Sequence, residues 1–215
     1  MKEYSFETED RNIGVSEPPL TYQRRRYTYA DYLGWADDVR RELIDGFIYA
    51  LSAPLRKHAE ITENLNFLMK LFMRKYRGKT GGKCKIYHAP FDVRLSPAGE
   101  TADEKIHTVV QPDICVICDP SKLDERGCLG APDLIVEVLS PSTAKRDLNE
   151  KFRLYEASGV REYWVVYPED KALNVFILQE ESGKYDEGAV YVKKGKVPVH
   201  IFEGLDIDLE ELFAE

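Results

Sequence analysis

The sequence predicts an α/β protein in which helices pack on the faces of a mixed β-sheet. Two stretches, 58–77 and 141–159, carry apolar residues at helical spacing. Between and after them lie short, strongly apolar runs bounded by turn residues, which is the pattern of strands. Because the two patterns alternate along the chain, we expect a mixed sheet flanked by helices, with an antiparallel extension after residue 160.

The length and composition of the chain suit a single folded domain. It has 215 residues, of which 43% are hydrophobic and 32% are charged, as in ordinary globular proteins. Residues 1–25 are polar and contain a Pro-Pro pair. We therefore expect a flexible N-terminal arm at 1–25, followed by one domain at 26–215.

Composition also limits the location and the partners of the protein. No apolar run reaches the roughly 18 residues that cross a bilayer, and the first residues lack the apolar stretch of a signal peptide. We therefore expect a cytoplasmic protein with no membrane contact, and we expect its four cysteines to be reduced thiols. The net charge of −8 argues against broad attraction to nucleic acid, although basic residues can cluster locally.

The first predicted elements are a short helix, a hairpin and a long helix. Thr28 is a suitable N-cap for the short helix. Asp45-Gly46 lies between two apolar runs, which is a strong hairpin signal and places Glu42 near the end of the first strand. The long helix over 58–77 begins at His58 and buries one apolar face.

Three strands are predicted next, at 85–95, 108–118 and 131–140. The second and third are almost continuously apolar, which is typical of central strands that are buried on both faces. The helix over 141–159 follows. Two more strands, at 161–168 and 172–179, weaker strand signals around 185–192 and a short terminal helix complete the chain.

Each of the two apolar central strands carries one acid, Asp113 in the second and Glu137 in the third. Burial disfavours a charged carboxylate unless a partner compensates it. If the strands are neighbours, both acids can point to one face, where Mg²⁺ or Mn²⁺ would neutralise them through oxygen ligands. Alternatively, each acid pairs with a buried lysine or arginine.

A lysine in the next helix is the third candidate residue. Leu148, Lys151, Phe152 and Tyr155 have the spacing of one helical face, which we expect to pack on the sheet. Lys151 can extend along the apolar surface to solvent at the edge of the sheet. Alternatively, it reaches the two acids, where it would orient or deprotonate a water molecule and stabilise negative charge. Lys145, in the first turn of the same helix, is the competing candidate.

Six segments, in order along residues 42–213, resemble one protein family. They are ELIDGFIY, APFDVRL, VVQPDICVI, APDLIVEVLSPST, EKFRLYEASGVREYWVV and GLDIDLEELF. With them the chain resembles the Uma-type putative restriction endonuclease family. The segments Gln111-Pro112-Asp113 and Ile135-Val136-Glu137-Val138 also resemble the motif of the wider PD-(D/E)XK nuclease superfamily.

The resemblance implies a restriction-endonuclease-like core that hydrolyses phosphodiester bonds, with DNA as substrate and Mg²⁺ or Mn²⁺ as cofactor. It implies that Asp113 and Glu137 hold the metal, with Glu42 as an added ligand or positioning group. His58 would contact substrate or assist proton transfer, or it is instead a surface residue at a helix end. The resemblance also admits a homodimer, because cutting two strands benefits from two sites.

One position departs from the superfamily motif. The motif has a lysine two residues after the glutamate, where this sequence has Leu139. The family pattern lets the next helix supply that lysine, which matches Lys151. The missing lysine and the acidic net charge also fit a non-catalytic module that binds nucleic acid or a partner. A hydrolase of another phosphodiester is a third alternative, with the same site.

The spacing of Cys115 and Cys118 resembles a zinc or redox motif. Residues three apart on a strand point to opposite faces, however, so both sulfurs would reach one ion only if the strand bends at Cys118. Cys128 and His88 would then be the further ligands of a zinc ion. In a regular strand we expect buried, unreactive thiols at these positions.

Overall fold

A computed structural model describes residues 25–37, 39–75, 83–96, 98–141 and 143–214. The predicted flexible arm lies outside these ranges except for Arg25, whose guanidinium pairs with Asp31 at 2.8 Å. Within the described ranges, no helix combines the length and the apolar character that crossing a membrane requires.

Helices separate runs of consecutive strands along the described residues. The helices are α1 (Tyr29–Leu33), α2 (Arg56–Lys75), α3 (Ala144–Arg146), α4 (Phe152–Ser158) and α5 (Leu209–Leu212), and a π-helical segment, Asp147–Lys151, joins α3 to α4. The strands are β1 (Arg41–Ile44), β2 (Phe47–Ala50), β3 (Lys85–His88), β4 (Val93–Arg94), β5 (Val109–Val110), β6 (Ile114–Ile117), β7 (Leu123–Asp124), β8 (Gly127–Leu129), β9 (Leu134–Val138), β10 (Glu162–Tyr167), β11 (Ala172–Gln179), β12 (Lys184–Tyr185), β13 (Ala189–Val192), β14 (Lys196–Pro198) and β15 (Asp206–Asp208).

Local sequence signals explain the first elements. The Thr28 hydroxyl accepts a hydrogen bond from the backbone N–H of Asp31, and the Asp31 carboxylate accepts one from the backbone N–H of Thr28, which completes a capping box for α1. Asp45 and Gly46 have φ angles of 51° and 76°, as a tight turn between β1 and β2 requires. The predicted hairpin is confirmed, and Glu42 lies on its first strand.

The strands form two larger mixed sheets and one small antiparallel pair. The first sheet has the order β2-β1-β5-β4-β8-β7, and the second has the order β12-β11-β10-β9-β6-β3 with β13 also paired to β11. The third sheet consists of β14 and β15. The predicted mixed α/β architecture is therefore confirmed, with its strands divided among more sheets than expected. Strands β11, β12 and β13 supply the predicted antiparallel extension.

The run over 108–118, predicted as one strand, is divided into β5 and β6. The break includes Pro112, which has no N–H to donate to a neighbouring strand. Strand β5 belongs to the first sheet and β6 to the second. The prediction that Asp113 lies in mid-strand is therefore wrong, because this residue immediately precedes β6.

The second sheet is the middle layer of the fold. Its strands β6 and β9 are buried along their whole length, as predicted. One face packs on α2 and on the C-terminal residues, with Leu65, Met69 and Leu209 in the core. The other face packs on Tyr155 of α4 and on apolar residues of the first sheet such as Val110.

The helix predicted over 141–159 is not a continuous α-helix. Leu148, expected on its buried face, is 39% exposed, whereas Asp147 and Lys151 are buried. A π-turn holds more residues per turn than an α-turn, so it shifts which residues share one face. The buried polar face is therefore formed by Asp147, Lys151 and Tyr155.

The cysteines differ from the sequence-based expectation. Cys84 and Cys118 form a disulfide, so the prediction of four reduced thiols is wrong. These two residues lie just beyond the paired residues Lys85 and Ile117, so the antiparallel register of β3 and β6 places them opposite each other. Cys115 is free and buried, and burial raises the pKa of its thiol, as expected for an unreactive cysteine.

Glu162 at the start of β10 fastens the C-terminal part of the chain to the sheet. Its Oε1 accepts hydrogen bonds from Trp164 Nε1 at 2.7 Å and from the backbone N–H of His200 at 3.1 Å. Its Oε2 accepts one from the backbone N–H of Ile201 at 3.0 Å. This buried carboxylate is therefore satisfied by three N–H donors.

Candidate active site

All five site residues expected from the sequence line one cavity of about 940 Å³. Glu42 comes from β1, His58 from α2, Asp113 from the residue before β6, Glu137 from β9 and Lys151 from the π-helical segment. The fold therefore brings together residues that are separated by up to about half of the chain.

The two acids of the motif lie opposite each other. Ile114 pairs with Val136 in the antiparallel register of β6 and β9, so the next position in the ladder places Asp113 across from Glu137. The Oδ2 atom of Asp113 accepts a hydrogen bond from the backbone N–H of Val138 at 2.7 Å. This contact fixes the Asp113 carboxylate at the end of the strand pair.

His58 is the direct partner of Asp113. Its Nε2 lies 3.0 Å from Asp113 Oδ2, and its side chain is only 14% exposed. Burial lowers the pKa of His58, but the hydrogen bond and the negative charge of Asp113 outweigh burial and raise that pKa. The structure thus shows a histidine inside the cavity and not on the surface.

Lys151 reaches the buried acids instead of extending to solvent. Its Nζ lies 2.9 Å from Glu137 Oε1, 2.9 Å from Glu42 Oε1 and 3.6 Å from Asp147 Oδ1. Burial lowers the pKa of Lys151, but the three carboxylates outweigh it and raise that pKa above its ordinary value. The ammonium group is therefore held in its charged form.

Glu137 receives a second hydrogen bond from α4. The Tyr155 hydroxyl donates to Glu137 Oε1 at 2.6 Å, the same oxygen that Lys151 contacts. Burial raises the pKa of Glu137 well above its ordinary value, and the Lys151 charge opposes this increase. The sequence offered two interpretations of Glu137: it pairs with a buried lysine, or it lies in a site that Lys151 reaches. The structure combines the two, because the lysine that pairs with Glu137 is Lys151.

Glu42 is fully buried and is held from three sides. Its Oε1 accepts hydrogen bonds from the backbone N–H of Gln111 at 2.9 Å and from Lys151. Its Oε2 lies 3.3 Å from the Arg146 guanidinium, which also lies 4.5 Å from the centre of the Tyr49 ring. Sequence reasoning missed Arg146, because an arginine in a helical turn carries no specific signal.

Asp147 is the other residue of the cluster that sequence reasoning missed. It is 2% exposed, and its Oδ1 atom lies 3.6 Å from Lys151 Nζ. Burial raises the pKa of Asp147, whereas the Lys151 charge lowers it. The four-residue spacing of Asp147, Lys151 and Tyr155 is visible in the sequence and could have revealed the cluster.

Lys145 and Leu139 are the two other positions at which the sequence analysis considered a lysine of the site. Lys145 is exposed, and it forms no ion pair within the described part of the chain. Leu139, at the place of the motif lysine, packs against the apolar cluster on one face of the second sheet. Lys151 is therefore the lysine that the fold places among the acids.

The donor set of the cavity fits a hard divalent cation. The five carboxylates of the lining outnumber its three lysine and arginine side chains; the carboxylates are Glu42, Glu63, Asp113, Glu137 and Asp147, and the cationic side chains are Arg40, Arg146 and Lys151. Oxygen donors are also the ligands that Mg²⁺ and Mn²⁺ prefer. In the described ranges, no group of three or more His, Cys, Asp or Glu side chains is already arranged to hold a metal. Mg²⁺ keeps several waters and binds through one or two carboxylates, so two facing acids suffice.

Known proteins and one family model are similar to this chain. The family model Uma2, described as a putative restriction endonuclease, matches residues 29–210. The uncharacterized protein slr1290 of Synechocystis sp. (strain ATCC 27184 / PCC 6803 / Kazusa) is 32% identical over 127 residues, which are 58% of this chain and 60% of that protein. The chain thus matches less than two thirds of the length of that relative.

A solved structure shares the fold. The crystal structure of a putative nuclease belonging to DUF820 from Anabaena variabilis ATCC 29413 superposes with a TM-score of 0.67, at 19% sequence identity, over 87% of this chain and 97% of that chain. Since the family model spans most of the sequence, the chain belongs to the Uma2 putative restriction endonuclease family.

Proposed function

We propose that the protein is a metal-dependent endonuclease that hydrolyses phosphodiester bonds of DNA, with Mg²⁺ or Mn²⁺ as its cofactor. The observation that carries the proposal is the convergence of Asp113, Glu137 and Lys151 in one cavity of a chain from this family. A cytoplasmic location and assembly into a homodimer stay predictions that accompany it.

Asp113 and Glu137 would hold the metal, because they face each other at the end of neighbouring strands and carry oxygen ligands. When bound, such an ion activates a water molecule and stabilises the negative charge that develops on a phosphate. The contacts of Asp113 with Val138 and His58 would keep its carboxylate fixed while substrate enters.

The charged state of Lys151 favours one of its two expected roles. A lysine with a raised pKa keeps its proton, so it serves better as a fixed positive charge than as a base. Its ammonium group would stabilise negative charge on the phosphate, and Glu42 would hold it in place.

Other side chains of the cavity suit a phosphate backbone. Arg146 and Arg40 line the same cavity as the acids, and Arg40 donates to the side-chain oxygen of Gln111 at 2.9 Å. Arginine recognises phosphate oxygens through its planar fork of donors. His58 would contact substrate or transfer a proton, since its imidazole lies in the cavity 3.0 Å from the Asp113 carboxylate.

A non-catalytic binding module is the second candidate. The observation that favours it is the pairing of Lys151 with Glu42 and Glu137, which balances part of the buried charge without a metal. Such a module would retain ligand binding after removal of the Asp113 carboxylate.

The test compares wild type with Asp113→Asn. We expect wild type to bind Mn²⁺ and Mg²⁺ in calorimetric titrations and to nick supercoiled DNA. Asp113→Asn should lose metal binding, and its nicking rate should fall by about 10²–10³-fold or more. Single-stranded DNA, assayed in parallel, would show the preferred form of the substrate.

Asp133→Asn is a matched control. The Oδ2 atom of Asp133 accepts from the backbone N–H of Cys118 at 2.7 Å, which mirrors the contact of Asp113 at the other end of the same strand pair. The control should retain metal binding and nicking. Metal binding without cleavage in wild type would point to another phosphodiester substrate, and no metal binding would favour the binding module.

A further inference from the structure

Asp147 carries a buried oxygen that lacks a hydrogen bond. Its Oδ1 atom has no hydrogen-bond partner in the described structure, although the residue is 2% exposed. Leaving a buried polar atom unsatisfied costs free energy, so such atoms in native proteins call for an explanation. The nearest cationic partner is Lys151 Nζ, 3.6 Å away, just beyond hydrogen-bond distance.

Lys151 has capacity for one more acceptor. A lysine ammonium has three N–H donors. Two of them are accounted for by Glu42 Oε1 and Glu137 Oε1, each at 2.9 Å. Asp147 is the third carboxylate within ion-pair distance of the same nitrogen. The unsatisfied oxygen thus lies 3.6 Å from an ammonium group that has one donor unaccounted for.

The Lys151 ammonium group and the proposed metal ion would compete for the Glu137 carboxylate. Glu137 is a proposed metal ligand, and its Oε1 already accepts hydrogen bonds from Lys151 and Tyr155. A divalent cation on this carboxylate would repel an ammonium group at 2.9 Å, because the two positive charges would share one buried anion. Lys151 would then shift toward its remaining anions, Glu42 and Asp147.

We propose that Asp147 is a positioning residue that receives the Lys151 ammonium when Glu137 binds the divalent cation. This role rests on the proposed function. The Nζ–Oδ1 distance of 3.6 Å would need to shorten only to the roughly 2.9 Å of a charge-assisted hydrogen bond. The flexible stem of lysine permits that shift while Glu42 keeps its contact.

The four-residue spacing of Asp147 and Lys151 explains why the acceptor is so close, because residues four apart lie side by side on a helix. The two are the first and last residues of the π-helical segment, and both are buried. Single π-turns inside α-helices occur frequently at functional sites. Asp147 and Lys151 lie in such a segment beside the other acids of the cavity.

The test is a double-mutant cycle on Mn²⁺ affinity, measured by calorimetry on wild type, Asp147→Asn, Lys151→Gln and the double variant. In the wild-type background, Asp147→Asn should weaken Mn²⁺ binding about 10–100-fold. In the Lys151→Gln background the same change should alter affinity by less than about twofold, since no ammonium remains to be placed. Lys151→Gln alone should bind Mn²⁺ more tightly than wild type.

Glu150→Gln is the matched control, because Glu150 lies in the same π-helical segment but is exposed and contacts the Tyr49 hydroxyl. It removes the same charge and should leave Mn²⁺ affinity within about twofold of wild type. Circular dichroism would establish that each variant is folded, and Asp147→Ser would replace Asp147→Asn if the latter is not.

Two other results would contradict the role of Asp147. An equal loss of affinity in both backgrounds would make Asp147 a direct metal ligand, and no loss in the wild-type background would show that Lys151 needs no second acceptor. Either result leaves the proposed function standing. Absence of Mn²⁺ binding in wild type would overturn the proposed function and this role together.

Discussion

Two buried glutamates on neighbouring parallel strands differ in what surrounds them. Glu137 lies on β9 and Glu162 on β10, and burial raises the pKa of both carboxyl groups. Glu137 shares a register position with Val165, whereas Glu162 pairs with Leu134, so their side chains point to opposite faces of the sheet. One faces the cavity, and the other faces the C-terminal part of the chain.

The two glutamates differ in the hydrogen-bond partners of their carboxylates. Glu162 is satisfied by three neutral N–H donors, two of them from the backbone. Glu137 is satisfied by the Lys151 ammonium and the Tyr155 hydroxyl inside an open cavity. Burial of an acid therefore does not identify a functional site. The cationic partner and the open cavity are what distinguish Glu137 from Glu162.

The largest effect on stability is expected at Lys151. Lys151→Met leaves Glu42, Glu137 and Asp147 without their shared cation, and breaking such a buried ion pair costs about 3–5 kcal/mol. Chemical denaturation would measure the loss, and added Mn²⁺ should recover part of it. Lys145→Met is the control, because Lys145 is exposed and its removal should change stability by less than about 0.5 kcal/mol. Equal effects of the two substitutions would contradict the ionic role of Lys151.

A smaller loss is expected at Glu162. Glu162→Gln keeps the shape of the side chain but leaves one oxygen to accept from three N–H donors. One donor is then unsatisfied, which costs about 1–3 kcal/mol. Denaturation of wild type and variant would measure this difference. An unchanged stability would show that the C-terminal residues do not depend on this carboxylate.

The smallest expected effect is a dependence on pH. Burial raises the pKa of Glu162 above its usual value of 4.5, against the opposing effect of its hydrogen bonds. The folded state therefore binds the Glu162 proton more tightly than the unfolded state, so this group stabilises the fold more as pH falls toward 4.5.

The stability of wild type relative to Glu162→Gln should thus increase as the pH is lowered from 7 toward 4.5. Denaturation at several pH values would measure that difference without the contribution of other groups. A difference that shrinks in this interval would mean that the N–H donors outweigh burial.

Much of the fold follows from local signals in the sequence. Asp45-Gly46 predicted the hairpin and Thr28 the first helix, because turn and cap chemistry depend on adjacent residues. The cavity residues Glu137 and Lys151 were also predictable, because a charged residue in an apolar strand or on a buried helical face requires a partner.

The remaining features depend on contacts between distant residues. Asp147 is an exception, because its four-residue spacing from Lys151 is local; it was missed because the helical face chosen from the sequence started at Leu148, which the structure exposes. The disulfide between Cys84 and Cys118 requires the register of β3 and β6, which the sequence does not state. The partners of Glu162 at His200 and Ile201 were unpredictable for the same reason.

The most direct measurement makes the same substitution in both acids and compares nicking of supercoiled DNA in Mg²⁺. Glu137→Gln and Glu162→Gln each exchange a buried carboxylate for an amide of the same shape. We expect nicking per folded molecule to fall by about 10²–10³-fold in Glu137→Gln and to stay near the wild-type rate in Glu162→Gln. Equal rates in the two variants would contradict the assignment of Glu137 to the site.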